Sequence, residues 1–152
     1  MTQPIAICAG YIVRYPLAGM MLWNLHYLAG LQQLGYRVVF VEHFGWSHSC
    51  YDPVRNEMAD DPGCGLGLMR REFEKIGLRD WCYVGASGRW HGLSRAELKR
   101  LCREAALLLS ISNTTWVNEF HECPVRVFLD GDPGFTQIRT TPTPSPDRKS
   151  VV

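Results

Sequence analysis

No basic run or stripe, no long apolar stretch and no C-x-x-C pair occurs in the 152 residues, and each absence removes a class of function. Charge is sparse and balanced, with 20% Asp, Glu, Lys and Arg and a formal net charge of +1, so neither nucleic acid nor an anionic membrane is an expected partner. No segment approaches the ~20 apolar residues that span a bilayer. The Ile5–Val13 run lacks a positive region before it and ends at Arg14, which is not the pattern of a secretion signal. The dinucleotide fingerprint G-x-G-x-x-G is missing from the first strand-to-helix loop, which speaks against hydride transfer, and G-x-S-x-G, Walker A and H-E-x-x-H are missing altogether. Cys8, Cys50, Cys64, Cys82, Cys102 and Cys123 have no zinc-like spacing. Cys8 falls in an expected strand and Cys102 in an expected helix, where thiols act as small apolar side chains. Reduced cysteines and the missing leader together make the cytoplasm the expected location.

What is present is the alternation of an α/β domain. The length suits one domain with a sizeable core. Ile5-Ala-Ile-Cys-Ala-Gly10 reads as a strand ending in glycine, and a helix is expected over 19–34 with Met20, Trp23, Tyr27, Leu31 and Leu34 as its apolar face. Gly35 stops that helix, and Val38-Val-Phe-Val41 follows as a buried strand ending at Glu42. So tight a β–α–β unit is right-handed with parallel strands. The segment from His43 to Pro62 is polar and turn-rich, a loop long enough to suggest function. A helix over 65–76, a short strand over 81–84 and a glycine-bearing loop over 85–93 come next. Ser94-Arg-Ala-Glu97 is a capping box that opens a helix to about Arg103. Leu107-Leu-Leu-Ser-Ile111 is a continuous apolar run of the kind found in central parallel strands, and Val125 to Leu129 is the last strand. The expected fold is therefore Rossmann-like, a three-layer parallel sheet with helices on both faces, the first strand central and the order 3-2-1-4-5.

The expected domain covers 1–139. Proline alternates through Thr140-Thr-Pro-Thr-Pro-Ser-Pro146, which blocks helix and sheet ladders, so 140–152 is expected to be a disordered tail. Asp147-Arg-Lys-Ser-Val-Val152 is what the common sequencing-adapter string GATCGGAAGAGCGTCGTG encodes in frame. These six residues are read as an adapter artefact, with a chance hydrophilic terminus as the alternative, and without them the net charge is zero.

Three constellations have candidate chemistry. In the loop Gly10 to Gly19, Gly10 admits close backbone approach, Arg14 suits phosphate or carboxylate, and the free N–H groups near Gly19 favour an anion. An ordinary turn with a solvated arginine is the competing account. Glu42 stands where a ribose-binding acid would, or is simply a polar strand end. Asp130-Gly131-Asp132-Pro133 places two carboxylates beyond a strand's carboxyl end, fit for a general base or merely for a turn. His43, His48 and Cys50 lack a fourth ligand, so no metal is expected. Trp46, Tyr51, Trp90 and His91 are candidates for stacking on a sugar or for packing. Asn113 lies at the polar exit of the Leu107 strand.

Gly10-Tyr-Ile-Val-Arg-Tyr-Pro-Leu-Ala-Gly19, Leu28-Ala-Gly-Leu-Gln-Gln-Leu-Gly35 and Val41-Glu42 resemble the N-terminal half of bacterial glycosyltransferase-like proteins of the GT-B fold. Ser49-Cys-Tyr-Asp-Pro53, Gly88-Arg-Trp-His-Gly92 and Asp130-Gly-Asp-Pro-Gly-Phe-Thr-Gln137 extend the likeness over about residues 5–139. The resemblance implies an incomplete N-terminal, acceptor-side domain, with a C-terminal donor domain absent. This chain would then bind a small-molecule or glycan acceptor, take no cofactor, and be inactive alone, while the full-length protein would use a nucleotide-sugar donor. Some inverting members draw a histidine base from the loop after strand one. That loop has none here, so Asp130, Asp132 and His43 become the expected catalytic residues, with Gly10, Arg14, Gly19, Glu42 and Asn113 binding substrate. The alternative is a non-catalytic nucleotide- or sugar-binding module.

Overall fold

A computed structural model describes residues 3–131, so Asp132, the boundary at 139 and the proline-rich tail lie outside the described residues. The described chain is α/β, with three helices and a mostly parallel six-stranded mixed sheet. Its strands are β1 (Ile5–Ala9), β2 (Arg37–His43), β5 (Asp80–Val84), β6 (Trp90–Gly92), β7 (Ala105–Ile111) and β8 (Arg126–Leu129), in the order β6-β5-β2-β1-β7-β8. β1 pairs in parallel with both β2 and β7, and among the described strands of this sheet only β6 runs antiparallel. The five parallel strands thus run β5-β2-β1-β7-β8 around a central β1, whose five residues are all buried.

Alternation along the strands divides the core in two. Ile5, Ile7, Ala9, Val39 and Val41 pack with Leu98, Leu101 and Cys102 of α3 (Arg95–Glu104) and with Phe120. Cys8, Val38 and Phe40 pack with Met21, Leu25 and Leu28 of α1 (Ala18–Gln33) and with Leu66, Met69 and Phe73 of α2 (Gly63–Lys75). The six cysteines are free thiols. Burial pushes Cys8 and Cys82 up to about 12, so both stay protonated and apolar in character.

Three local expectations change. The buried residues of α1 are Met21, Asn24, Leu25 and Leu28, while Leu34 is 75% exposed and Met20, Trp23, Tyr27 and Leu31 are only partly covered. Apolar residues surround this helix, so their spacing cannot select a face, and contact with the sheet does. The polar stretch after His43 contains a two-stranded hairpin, β3 (Cys50–Asp52) and β4 (Glu57–Ala59). Its turn is held by the Asp52 carboxylate, which accepts from the backbone N–H groups of Val54 and Arg55. The 85–93 loop contributes β6, turned back by a Gly88 N–H to Gly85 carbonyl bond. Gly92, at φ 81°, lies where a Cβ would come within 2.2 Å of the Trp81 carbonyl, so glycine is required there.

The capping box forms as expected. Ser94 accepts from the Glu97 N–H, and the Glu97 carboxylate accepts from the Ser94 N–H at 2.8 Å. A 3-10 turn (Asn118–Glu122) then packs beside α3 through ion pairs of Arg95 with Glu119 and of Lys99 and Arg103 with Glu122.

Candidate functional site

Parallel strands bring their carboxyl ends to one edge of a sheet, and there the chain builds two neighbouring structures. The first is an anion receptor filled from within. After β1 the backbone N–H groups of Ile12, Val13 and Arg14 converge, a concave arrangement that binds anions. The Glu42 carboxylate, from the end of β2, occupies it at 2.7, 2.7 and 2.9 Å. Arg14 bends over the same carboxylate, with Nε 3.4 Å from Oε1, and both side chains are fully buried. Arg14 also donates to the carbonyls of Thr114 at 2.6 Å and Phe44 at 3.5 Å, and its guanidinium lies against the rings of Tyr11 and Trp46. The hairpin covers the loop, with the Tyr51 N–H on the Arg14 carbonyl and Tyr51 stacked on Tyr15. Burial pushes the Glu42 carboxyl up from its ordinary range, against the opposing pull of Arg14 and the three N–H groups. Burial likewise raises Tyr11 to about 12.

The second structure is an open cleft of about 210 Å³ lined by His43, Val84, Trp90, Arg95 and the segment Trp116–Glu119. Five elements meet in it: the end of β2 supplies His43, the end of β5 Val84, β6 Trp90, the start of α3 Arg95, and the stretch after β7 Trp116 to Glu119. Trp116 is 38% exposed and is held edge-on by Phe120 and His121. Arg95 and Glu119 form an ion pair at 2.5 Å, the arginine 67% and the glutamate 5% exposed. Only the arginine meets water, so it presents the pair's polar surface.

His43 is fixed by three contacts. Its backbone N–H reaches the Thr115 hydroxyl, its ring lies 4.5 Å from the Phe44 ring, and its Nδ1 accepts the Gly45 N–H at 3.1 Å. Burial and the nearby Arg14 charge lower its pKa, so the ring is neutral at pH 7. With Nδ1 accepting, the proton of a neutral imidazole resides on Nε2, and that nitrogen is a donor. His43 in this state offers a hydrogen bond, and accepting a proton would first require loss of the Gly45 bond.

The expected site residues fall into groups. Gly10, Arg14 and Glu42 form the filled receptor, joined to the β7 exit by the Thr115 hydroxyl on the Gly10 carbonyl at 2.9 Å. Gly10 has an internal reason to be glycine, since a Cβ would lie 2.4 Å from Phe40 and 2.5 Å from Asn24. Gly19 is exposed in the first turn of α1, with open space where a Cβ would be. Asn113, at φ 50°, and Asp130 follow the ends of β7 and β8 on the same edge. Of the expected residues, His43 and Trp90 line the cleft. His91 lies beside Tyr83, and Trp46 is 57% exposed against Arg14. Among the described residues no group of three or more His, Cys, Asp or Glu could hold a metal, and no helix is long and apolar enough to cross a membrane.

Sequence reasoning missed Arg95, Trp116 and Glu119. Arg95 was visible only as the residue after a helix cap. Trp116 and Glu119 lie between β7 and β8, in a stretch with no periodic pattern. No protein-family model, no curated protein and no solved structure matches this chain.

Proposed function

We propose that this chain is the Rossmann-like acceptor-side domain of a GT-B-like glycosyltransferase, and that its cleft receives a sugar. The single observation that carries this reading is the pairing of Trp90 and Trp116 with His43 and the Arg95–Glu119 pair in one cleft at the sheet's carboxyl edge. A sugar has an apolar C–H face that packs on an indole and hydroxyls that need polar partners, so such a lining suits it. The volume is that of a small ligand or of one terminal residue of a glycan.

The competing reading, a nucleotide-binding module, fits the filled receptor less well. Nucleotide-binding α/β domains place phosphates on the N–H groups of the first strand-to-helix loop, and here Glu42 holds those of Ile12, Val13 and Arg14. Catalysis in the full-length protein would need a nucleotide-sugar donor, a second domain to stabilise its leaving phosphate, and a general base. His43 presents a donor, so Asp130 and Asp132 take the base role in this proposal.

The test is titration of the full chain with methyl glycosides and with UDP, followed by the indole N–H resonances of Trp90 and Trp116. Glycosides should move both signals, and Trp90→Ala or Trp116→Ala should weaken binding by about two- to tenfold, as an aromatic contact is worth roughly 0.5–1.5 kcal/mol beyond the area it buries. UDP binding with silent glycosides would favour the nucleotide module, and no response to either would remove the site.

A further inference from the structure

The lining of the cleft is unbalanced in hydrogen-bonding capacity, and the imbalance specifies a ligand. The inference rests on the cleft being the sugar site. Among the lining side chains, His43 carries its proton on Nε2, given the Gly45 bond at Nδ1, and Trp90 and Trp116 have indole N–H groups that donate and cannot accept. Arg95 adds its terminal nitrogens. Its Nε is on Glu119, and among the described residues those terminal nitrogens meet no acceptor. The Asn118 side chain both donates and accepts, and the Glu119 carboxylate is the one side chain of the lining that only accepts. Glu119 is 5% exposed and already engaged by Arg95, so it has little left to offer a ligand.

A neutral sugar hydroxyl both donates and accepts, and would leave these donors partly unmatched. A carboxylate or phosphate only accepts. Arginine meets either with its planar fork, and two N–H bonds can form at once. We infer that the cleft selects an anionic saccharide, a uronate or a sugar phosphate, whose acidic group sits on the Arg95 guanidinium and the His43 Nε2–H while its ring packs on the tryptophans. Glu119 opposes an anion electrostatically, but its ion pair with Arg95 offsets that charge and holds the guanidinium in place. His43 supplies direction without charge at pH 7, because its lowered pKa keeps it neutral.

The experiment compares methyl β-D-glucuronide, glucose 6-phosphate and methyl β-D-glucoside on the full chain at low salt, read by tryptophan fluorescence. At least one anionic ligand should bind about tenfold or more tightly than the neutral glucoside, as expected for a charge-assisted hydrogen bond. The better of the two identifies carboxylate or phosphate. Arg95→Gln should abolish the preference, lowering affinity for the better anionic ligand by far more than affinity for the glucoside. Arg95→Lys, which keeps the charge and loses the fork, should retain a reduced preference. Both variants must keep the wild-type far-UV circular dichroism. Equal or tighter binding of the neutral glucoside would overturn the anionic inference and leave the sugar site standing. Failure of all three ligands would remove the sugar reading itself.

Discussion

Removing the Glu42 carboxylate should damage this protein more than removing the arginine it pairs with. Glu42→Ala leaves three buried N–H groups, those of Ile12, Val13 and Arg14, without their acceptor. It also leaves a fully buried guanidinium without a counter-charge, although the Thr114 and Phe44 carbonyls remain to it. Breaking a buried pair from one side costs about 3–5 kcal/mol, and each orphaned buried donor roughly 1 kcal/mol or more. These effects overlap, so a loss of at least about 5 kcal/mol is expected, the low end of a whole domain's stability. Arg14→Met should cost less, about 3 kcal/mol, because the carboxylate keeps its three N–H donors. The double variant should be more stable than Glu42→Ala alone, since no unpaired charge is then buried. Urea unfolding followed by tryptophan fluorescence and near-UV circular dichroism measures all four proteins, and Glu42→Gln supplies a milder point if Glu42→Ala shows no cooperative transition. The reasoning fails if Glu42→Ala lies within about 1 kcal/mol of wild type, or if Arg14→Met is the more damaging of the two.

The glycines of α2 give a matched pair. A Cβ on Gly65 would lie 1.9 Å from the Val13 carbonyl, whereas one on Gly67 meets nothing within 4 Å. Gly65→Ala should destabilise by roughly 1–3 kcal/mol or more, while Gly67→Ala should stabilise by about 0.5–1 kcal/mol; thermal unfolding that ranks them the other way refutes the packing of α2 on the first loop. The capping box predicts a pH dependence. The Ser94 hydroxyl and N–H hold the Glu97 carboxyl below 4.5, so the folded state binds its proton less readily than the unfolded one. Its contribution is therefore fully present above the unfolded value and is lost as pH falls through the folded one. The stability gap between wild type and Glu97→Gln should be constant near neutrality and close as the pH falls below 4.5 and through the lowered folded value, and a gap unchanged in acid would exclude the carboxylate as its source.

Local pattern and punctuation were sufficient for much of the chain. Val38-Val-Phe-Val41 announces a strand buried on both faces, and Leu107-Leu-Leu-Ser-Ile111 a parallel strand whose Leu107 and Leu109 are in fact only half-buried. Gly35 ends α1 with φ 88°, and Ser94 with Glu97 opens α3, since those signals act within a few residues. The strand-like residues Trp90-His91-Gly92 escaped notice because three residues carry no period, and their pairing with Cys82–Val84 depends on the turn between them. The face of α1 escaped for the opposite reason, an excess of apolar candidates.

What the sequence by itself determined is the succession of strands and helices, the parallel sense of the first β–α–β unit, and the edge at which loops carrying Gly10, Glu42, Asn113 and Asp130 emerge. Only the tertiary structure decided what those loops do there. Glu42 reaches residues 28 to 30 positions earlier and fills the receptor that the first loop alone would leave open. The cleft draws on residues from 43 to 119, contributed by β2, by the successive elements β5, β6 and α3, and by the stretch after β7. Hydrogen-bond geometry and charge burial operate over a few ångströms in space, and the chain distances they join here leave no periodic trace in the sequence.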